Sequence, residues 1–188
     1  MRWAFLVLMV FAPALAGAVC APSGAPWISL EIVAGEPAGS EAAQWLEVRR
    51  DGCVTLRYAS WDLRRGVYQF ELGKGEAPAL AQRVSSTGVD KLDAIALKAR
   101  LTGTDRSARS AAIAADKAQP IFAISDGDSY RIEIVGDTGK NLIAWYAPRE
   151  EARFRPGVVE LAKLVDFIDA LQTLAASPRR TKVAEVTP

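Results

Sequence analysis

Three observations in this 188-residue chain predict an α+β fold. Short stretches of alternating apolar and polar residues crowd the first third and return near residue 130. Segments with helical periodicity stand between those two groups and again near the C-terminal end. Glycine-bearing turns at Asp51-Gly52 and at Asp137-Thr138-Gly139-Lys140 join neighbouring strands directly, which demands antiparallel pairing. The expected architecture is a mainly antiparallel sheet of about six or seven strands with two or three central helices. A long C-terminal helix packs on one face.

The N-terminus precedes that domain. Arg2 is followed by an unbroken apolar run, 3–11, then Pro13 and the small residues Ala14, Leu15, Ala16, Gly17 and Ala18. This is the layout of a secretory signal peptide, 1–18, and the run is too short for a membrane span of about 20 apolar residues. The reading places the mature chain in the periplasm or outside the cell, where disulfides persist. Cleavage after Ala18 follows the small-x-small pattern. Cys20 offers an alternative, a lipid anchor, which Gly17 and Val19 fit poorly. The two cysteines, Cys20 and Cys53, are expected to pair, closing a 33-residue separation for about 3–4 kcal/mol in the chain-entropy model. Lipidation would leave Cys53 alone.

Residues 19–26 read as a Pro/Gly/Ser-rich linker, and 27–176 as a single domain. The first strand, 27–33, sets Ile28, Leu30 and Ile32 on one face and Trp27, Ser29, Glu31 and Val33 on the other. Residues 44–60 form a hairpin whose register follows from its apolar faces. A two-residue turn would pair Val48 with Thr55 and mix the faces. A three-residue loop, Arg50-Asp51-Gly52, pairs Val48 with Val54 and Leu46 with Leu56, with Gly52 in the left-handed conformation. Cys53 then lies on the outer face beside Arg49, where it can clasp an N-terminal tail. Another strand follows at 67–72.

Past Gly73-Lys74-Gly75 the period becomes helical. Residues 78–84 form a short helix. A capping-box-like start at Thr87-Gly88-Val89-Asp90 opens a second helix through Leu101, which Thr102-Gly103-Thr104 ends. The alanine-rich 107–118 reads as a third short helix or a loop. Strands return at 121–125, 129–135 and 141–146, divided by Asp/Gly turns. Pro156 introduces the strongest helix, with Val158, Leu161, Val165, Ile168, Leu171 and Ala175 in one stripe. Ser177-Pro178 ends it, and 177–188 reads as a disordered tail.

The chain contains no histidine, so Ser-His-Asp triads, Cys-His dyads and the usual zinc-hydrolase ligand sets are excluded. It carries no nucleophile elbow and no dinucleotide fingerprint. Gly136-Asp137-Thr138-Gly139-Lys140 has the wrong spacing for a phosphate loop and joins two strands. Asp126-Gly127-Asp128 lacks oxygen ligands at Tyr130 and Ile132, where a calcium loop needs them. The acid pairs Asp90/Asp93, Glu150/Glu151 and Asp166/Asp169 read as solvated surface, although a carboxylate-only hydrolase could draw on them. No metal and no cofactor is expected. The whole chain has 23 Lys+Arg against 22 Asp+Glu, and loss of Arg2 with the leader makes it formally neutral, so nothing attracts it to nucleic acid.

The surface segment 60–66 is the best interaction candidate. Trp61, Asp62, Arg64 and Arg65 crowd into it near Trp45, Arg57 and Arg49, and Trp and Arg are favoured anchors of protein interfaces. Leu46-Glu47-Val48, Asp51-Gly52-Cys53-Val54, the central helices, Tyr130-Arg131-Ile132-Glu133-Ile134 and a last helix around Leu161, Leu164 and Leu171 carry a resemblance. In these features the chain resembles small bacterial inhibitors of the emfourin type, which bind thermolysin-like metallopeptidases. The likeness spans roughly 27–175 and is one of pattern. The inserted segment 103–119 and the leader depart from it, and no inhibitory residue carries over. The sequence thus leads to an exported, non-enzymatic protein-binding domain. It would act as an inhibitor or immunity protein, with a peptidase or cell-wall hydrolase as partner. The alternatives are a carboxylate-dependent envelope hydrolase and a lipid-tethered structural envelope protein.

Overall fold

A computed structural model describes residues 20–21, 23–35, 41–114, 127–136 and 139–187. The leader and the predicted strand 121–125 lie outside the described residues. Seven strands, β1 (Ile28–Val33), β2 (Gln44–Val48), β3 (Cys53–Tyr58), β4 (Gly66–Glu71), β5 (Ser129–Gly136), β6 (Gly139–Tyr146) and β7 (Thr181–Ala184), form one antiparallel sheet in the order β6-β5-β1-β2-β3-β4-β7. Four helices accompany it: α1 (Glu76–Thr87), α2 (Ala94–Ala114), α3 (Pro148–Phe154) and α4 (Val159–Ala175). β1 to β4 run as a meander. The chain then crosses through α1 and α2 to place β5 on the far side of β1.

One face of the sheet is apolar, because alternate residues of each strand point the same way. Ile28, Leu30, Leu46, Val54, Leu56, Ile132 and Ile143 are almost fully buried against Leu161, Leu164, Phe167, Ile168 and Leu171 of α4. Arg57, Glu71, Arg131, Leu142 and Ala144 occupy the opposite face and are exposed. The predicted stripe of α4 is rotated slightly: Leu164 and Phe167 are buried, whereas Val165 is only partly so. The β2–β3 register agrees with the sequence argument. Val48 faces Val54, Leu46 faces Leu56, and Gly52 has φ 87°.

The clasp also forms. Cys20 and Cys53 are disulfide-bonded and both are buried. That bond uses the sulfur that a lipid thioether would need. Ser23 and Gly24, in the stretch that is linker-like in composition, are held down: Ser23 donates to Asp51 Oδ2 from N (3.0 Å) and Oγ (2.7 Å), and Arg49 donates to the Gly24 carbonyl. The Ser23 hydroxyl, followed by the backbone N–H groups of Cys53 and Ser23, holds the Asp51 carboxyl below the usual range.

Several boundaries differ from expectation. Thr87 does not open α2. It ends α1, its hydroxyl donating to the Arg83 carbonyl (2.7 Å), and Gly88 at φ 68° reverses the chain into a 3-10 turn at Val89–Lys91. The cap of α2 is Asp93, whose Oδ1 accepts the Ala96 N–H at 2.8 Å. Nor does α2 stop at Gly103. Thr104 and Ser107 turn their hydroxyls back onto the carbonyls of Arg100 and Gly103, and the helix runs on through the alanine-rich stretch to Ala114. Helix α3 has no apolar stripe long enough to announce it. It begins with Pro148 at the first turn, after Ala147 at φ 46°.

The tail is a strand rather than disordered. β7 pairs with β4, and two arginines pin the turn before it. Arg179 binds Glu76 (2.7 Å), and Arg180 donates to the Ala175 carbonyl (2.9 Å). Four residues long and mostly exposed, β7 owes its order to backbone pairing with a distant strand, which local periodicity does not report.

Candidate functional site

The loop 59–65 joins β3 to β4 and is pinned at each level. At its base the Ala59 N–H donates to the Ala43 carbonyl (3.2 Å). Glu41 accepts from Ser60 Oγ (2.9 Å) and pairs with Arg57 (3.3 Å). Within the loop, Asp62 N–H bonds the Ala59 carbonyl and Arg65 N–H bonds the Asp62 carbonyl. Asp62 Oδ1 accepts the Arg64 N–H at 2.7 Å, and its carboxylate takes the Arg64 guanidinium at two points, 3.0 and 2.8 Å. The Tyr68 hydroxyl donates to the Arg64 carbonyl (2.8 Å). The Arg64 bond holds the Asp62 carboxyl below its ordinary range and, reciprocally, raises the Arg64 guanidinium. Charged hydrogen bonds of this kind are stronger than neutral ones, so the Asp62–Arg64 pair and the backbone bonds hold the loop in one conformation.

Two of the side chains left exposed on the loop are apolar. Leu63 is fully exposed at 104%, and Trp61 is 45% exposed. Sequence reasoning named Trp61 and passed over Leu63. The available signal was an isolated leucine in a charged turn, with no helix or strand to bury it.

The six predicted binding residues do not share one surface. Trp45 and Arg57 are cross-strand partners on the outer face. Arg64 turns to the other side of the sheet and stacks on the Tyr58 ring at 4.2 Å. Asp62 serves the loop internally. Trp61 and Arg65 are exposed, and the Arg65 guanidinium has no partner among the described residues. Behind Arg64 lies a cavity of about 470 Å³ bordered by Gln44, Tyr58, Asp128, Gln172 and Arg180. Sequence periodicity could not place Arg180 there, since its position depends on β7.

A second cavity of about 420 Å³ opens between α2, β6 and α3, lined by Leu101, Trp145, Tyr146 and Phe154 with Asp105 and Glu151. Two acids from different elements, Asp105 of α2 and Glu151 of α3, line one cavity, as a carboxylate hydrolase would require. Their chemistry points elsewhere. Arg155 bridges them, at 2.9 Å to Asp105 and 3.3 Å to Glu151, and its hydrogen bond lowers the Asp105 pKa. A general acid needs the opposite shift to hold its proton at neutral pH. Glu151 also accepts the Trp145 indole N–H (2.7 Å), a structural use. Asp166 and Asp169 bind Arg83 and Arg149, tying α1 and α3 to α4. Among the described residues, no three His, Cys, Asp or Glu side chains gather as a metal site, and no helix is long and apolar enough to cross a membrane.

Comparison with protein-family models, curated proteins and solved structures returns no match.

Proposed function

We propose that this chain is an exported, non-catalytic binding domain that inserts the loop 59–65 into the cleft of a hydrolase and blocks it. One observation carries the reading: Trp61 and Leu63 stand in solvent on a loop whose backbone is fixed by Asp62, Glu41 and Tyr68. Exposing a leucine completely brings the free domain no stability. Fixing the loop in advance removes ordering entropy that binding would otherwise cost. Aromatic anchors on such loops dominate interface energetics. The leader-like N-terminus and the buried disulfide support action in an oxidising compartment, the periplasm or beyond. The resemblance to emfourin-type inhibitors makes a thermolysin-like metallopeptidase the first partner to test, and a cell-wall hydrolase the second.

The test is inhibition of a purified thermolysin-like peptidase and of peptidoglycan hydrolysis by envelope extract, with capture of the inhibited enzyme on immobilised domain. Trp61→Ala and Leu63→Ala should each weaken inhibition by about 10–100-fold, the range expected of buried interface anchors. Their melting temperatures should stay at the parent value, because neither side chain packs in the core. Equal inhibition by parent and variants, or none by any of them, would overturn the loop reading.

A further inference from the structure

The cavity behind the loop has an unusual wall. The Tyr58 and Tyr68 rings meet edge to face, with centroids 5.8 Å apart and an interplanar angle of 80°. Arg64 lies over Tyr58 at 4.2 Å, and Arg180 over Tyr68 at 5.6 Å. Two guanidinium groups therefore converge on one aromatic pair, positioned by stacking. Their donors are only partly used. Arg64 commits Nε and Nη2 to Asp62. Arg180 commits Nη1 alone, to the Tyr58 hydroxyl (3.2 Å) and the Ala175 carbonyl (2.9 Å). Arg180 Nε and Nη2 have no acceptor among the described residues, and no carboxylate there pairs with Arg180. Two acids stand nearby: Asp62, already engaged, and Asp128, exposed at the cavity rim. Asp62 is taken by Arg64 and Asp128 forms no ion pair with Arg180, so the free edge of the Arg180 guanidinium has no carboxylate at a site with room for another side chain. A stacked guanidinium with its edge unoccupied matches a carboxylate in shape and in charge.

We propose that this cavity receives the side-chain carboxylate of an Asp or Glu on the partner, placed beside the apolar residues that cover Trp61 and Leu63. The inference rests on the loop 59–65 being the docking element, and it adds a specificity requirement: the partner surface is acidic next to apolar. Arg64 links the two features, since it belongs to the loop and lines the cavity.

The probe is N-acetyl-glutamate N-methylamide, titrated into the oxidised domain while the arginine Nε–H resonances are followed by NMR. The glutamine analogue serves as the uncharged control, and N-acetylglycine supplies a terminal carboxylate. Saturable shifts at Arg180 and Arg64 with the glutamate probe are expected, with the glutamine analogue at least about tenfold weaker. Arg180→Gln should abolish the Arg64 response. Arg180→Lys, which keeps the charge but loses the fork, should weaken it, and both variants are checked for a native melting profile. No response to glutamate, or equal movement of the remote Arg83, overturns the inference. A preference for N-acetylglycine overturns the side-chain assignment, and a response only to phosphatidylglycerol vesicles replaces it with a lipid surface. If Trp61→Ala weakens inhibition while glutamate gives no shift, only the acidic cavity falls. If glutamate binds but the loop variants inhibit like the parent, the loop reading falls instead.

Discussion

Gly127 and Ala147 share a space that fits a single methyl group. A Cβ on Gly127 would stand 2.4 Å from Ala147 Cβ and 3.3 Å from its Cα. Ala147 itself holds a left-handed φ of 46°, fixed by its N–H bond to the Asp128 carbonyl at 2.8 Å. That conformation costs alanine more than glycine. Gly127→Ala should therefore lower stability by about 1–3 kcal/mol through overpacking. Adding Ala147→Gly should recover most of the loss, because it removes both the clash and the backbone strain. Urea midpoints of the two single variants and the double variant measure this coupling, and simple additivity would refute it. At this scale the sequence was informative where a residue type has one physical use. Gly52 in the hairpin turn is such a case. It was silent on Ala147, since alanine gives no sign of a left-handed backbone.

Among the elements, those with a repeating apolar face were legible and those stabilised by distant polar partners were not. β1, β3 and α4 carry their burial pattern in their own residues. The extension of α2 past Gly103 depends partly on Arg155 of the α3 terminus, which reaches Asp105 at 2.9 Å. β7 is the extreme case, a short, mostly exposed edge strand that exists because β4 offers it an unpaired edge. Ending the chain after Ser177 should lower the melting temperature and expose the six residues of β4 to edge pairing, giving concentration-dependent association. Sedimentation and thermal melting together test this, and an unchanged, monodisperse protein would show β7 to be dispensable. The truncation also removes Arg180, so it should abolish the Arg64 response to glutamate.

For the molecule as a whole, the disulfide joins the N-terminal segment to the β2–β3 turn. It restricts the unfolded chain more than it reshapes the folded one. Reduction, or Cys53→Ser, should cost about 3–4 kcal/mol by loop closure. It should also release residues 20–26, whose other anchors are the exposed hydrogen bonds to Asp51 and Arg49. Urea unfolding with and without reductant, paired with limited proteolysis at this segment, measures both effects. Loss of stability without N-terminal cleavage would show that the remaining contacts hold the segment unaided. The loop 59–65 lies at the opposite end of β3 from Cys53, so inhibition should survive reduction as long as the domain stays folded.

The sequence by itself determined the α+β class, the β2–β3 register and the existence of the amphipathic helix α4, each written in local periodicity. The structure chose the disulfide over a lipid anchor at Cys20 and turned the buried face of α4 toward Leu164 and Phe167. The sequence also singled out Trp61 and its charged neighbours as a surface of interest. Only the tertiary structure decided how those neighbours divide: Trp45 and Arg57 on one face of the sheet, Arg64 on the other. Only there do Arg64 and Arg180, far apart in the chain, meet across two tyrosines. The physical reason is that strand alternation can be read along a chain, whereas the meeting of a loop with a C-terminal strand depends on which sheet edges remain open after the rest has folded.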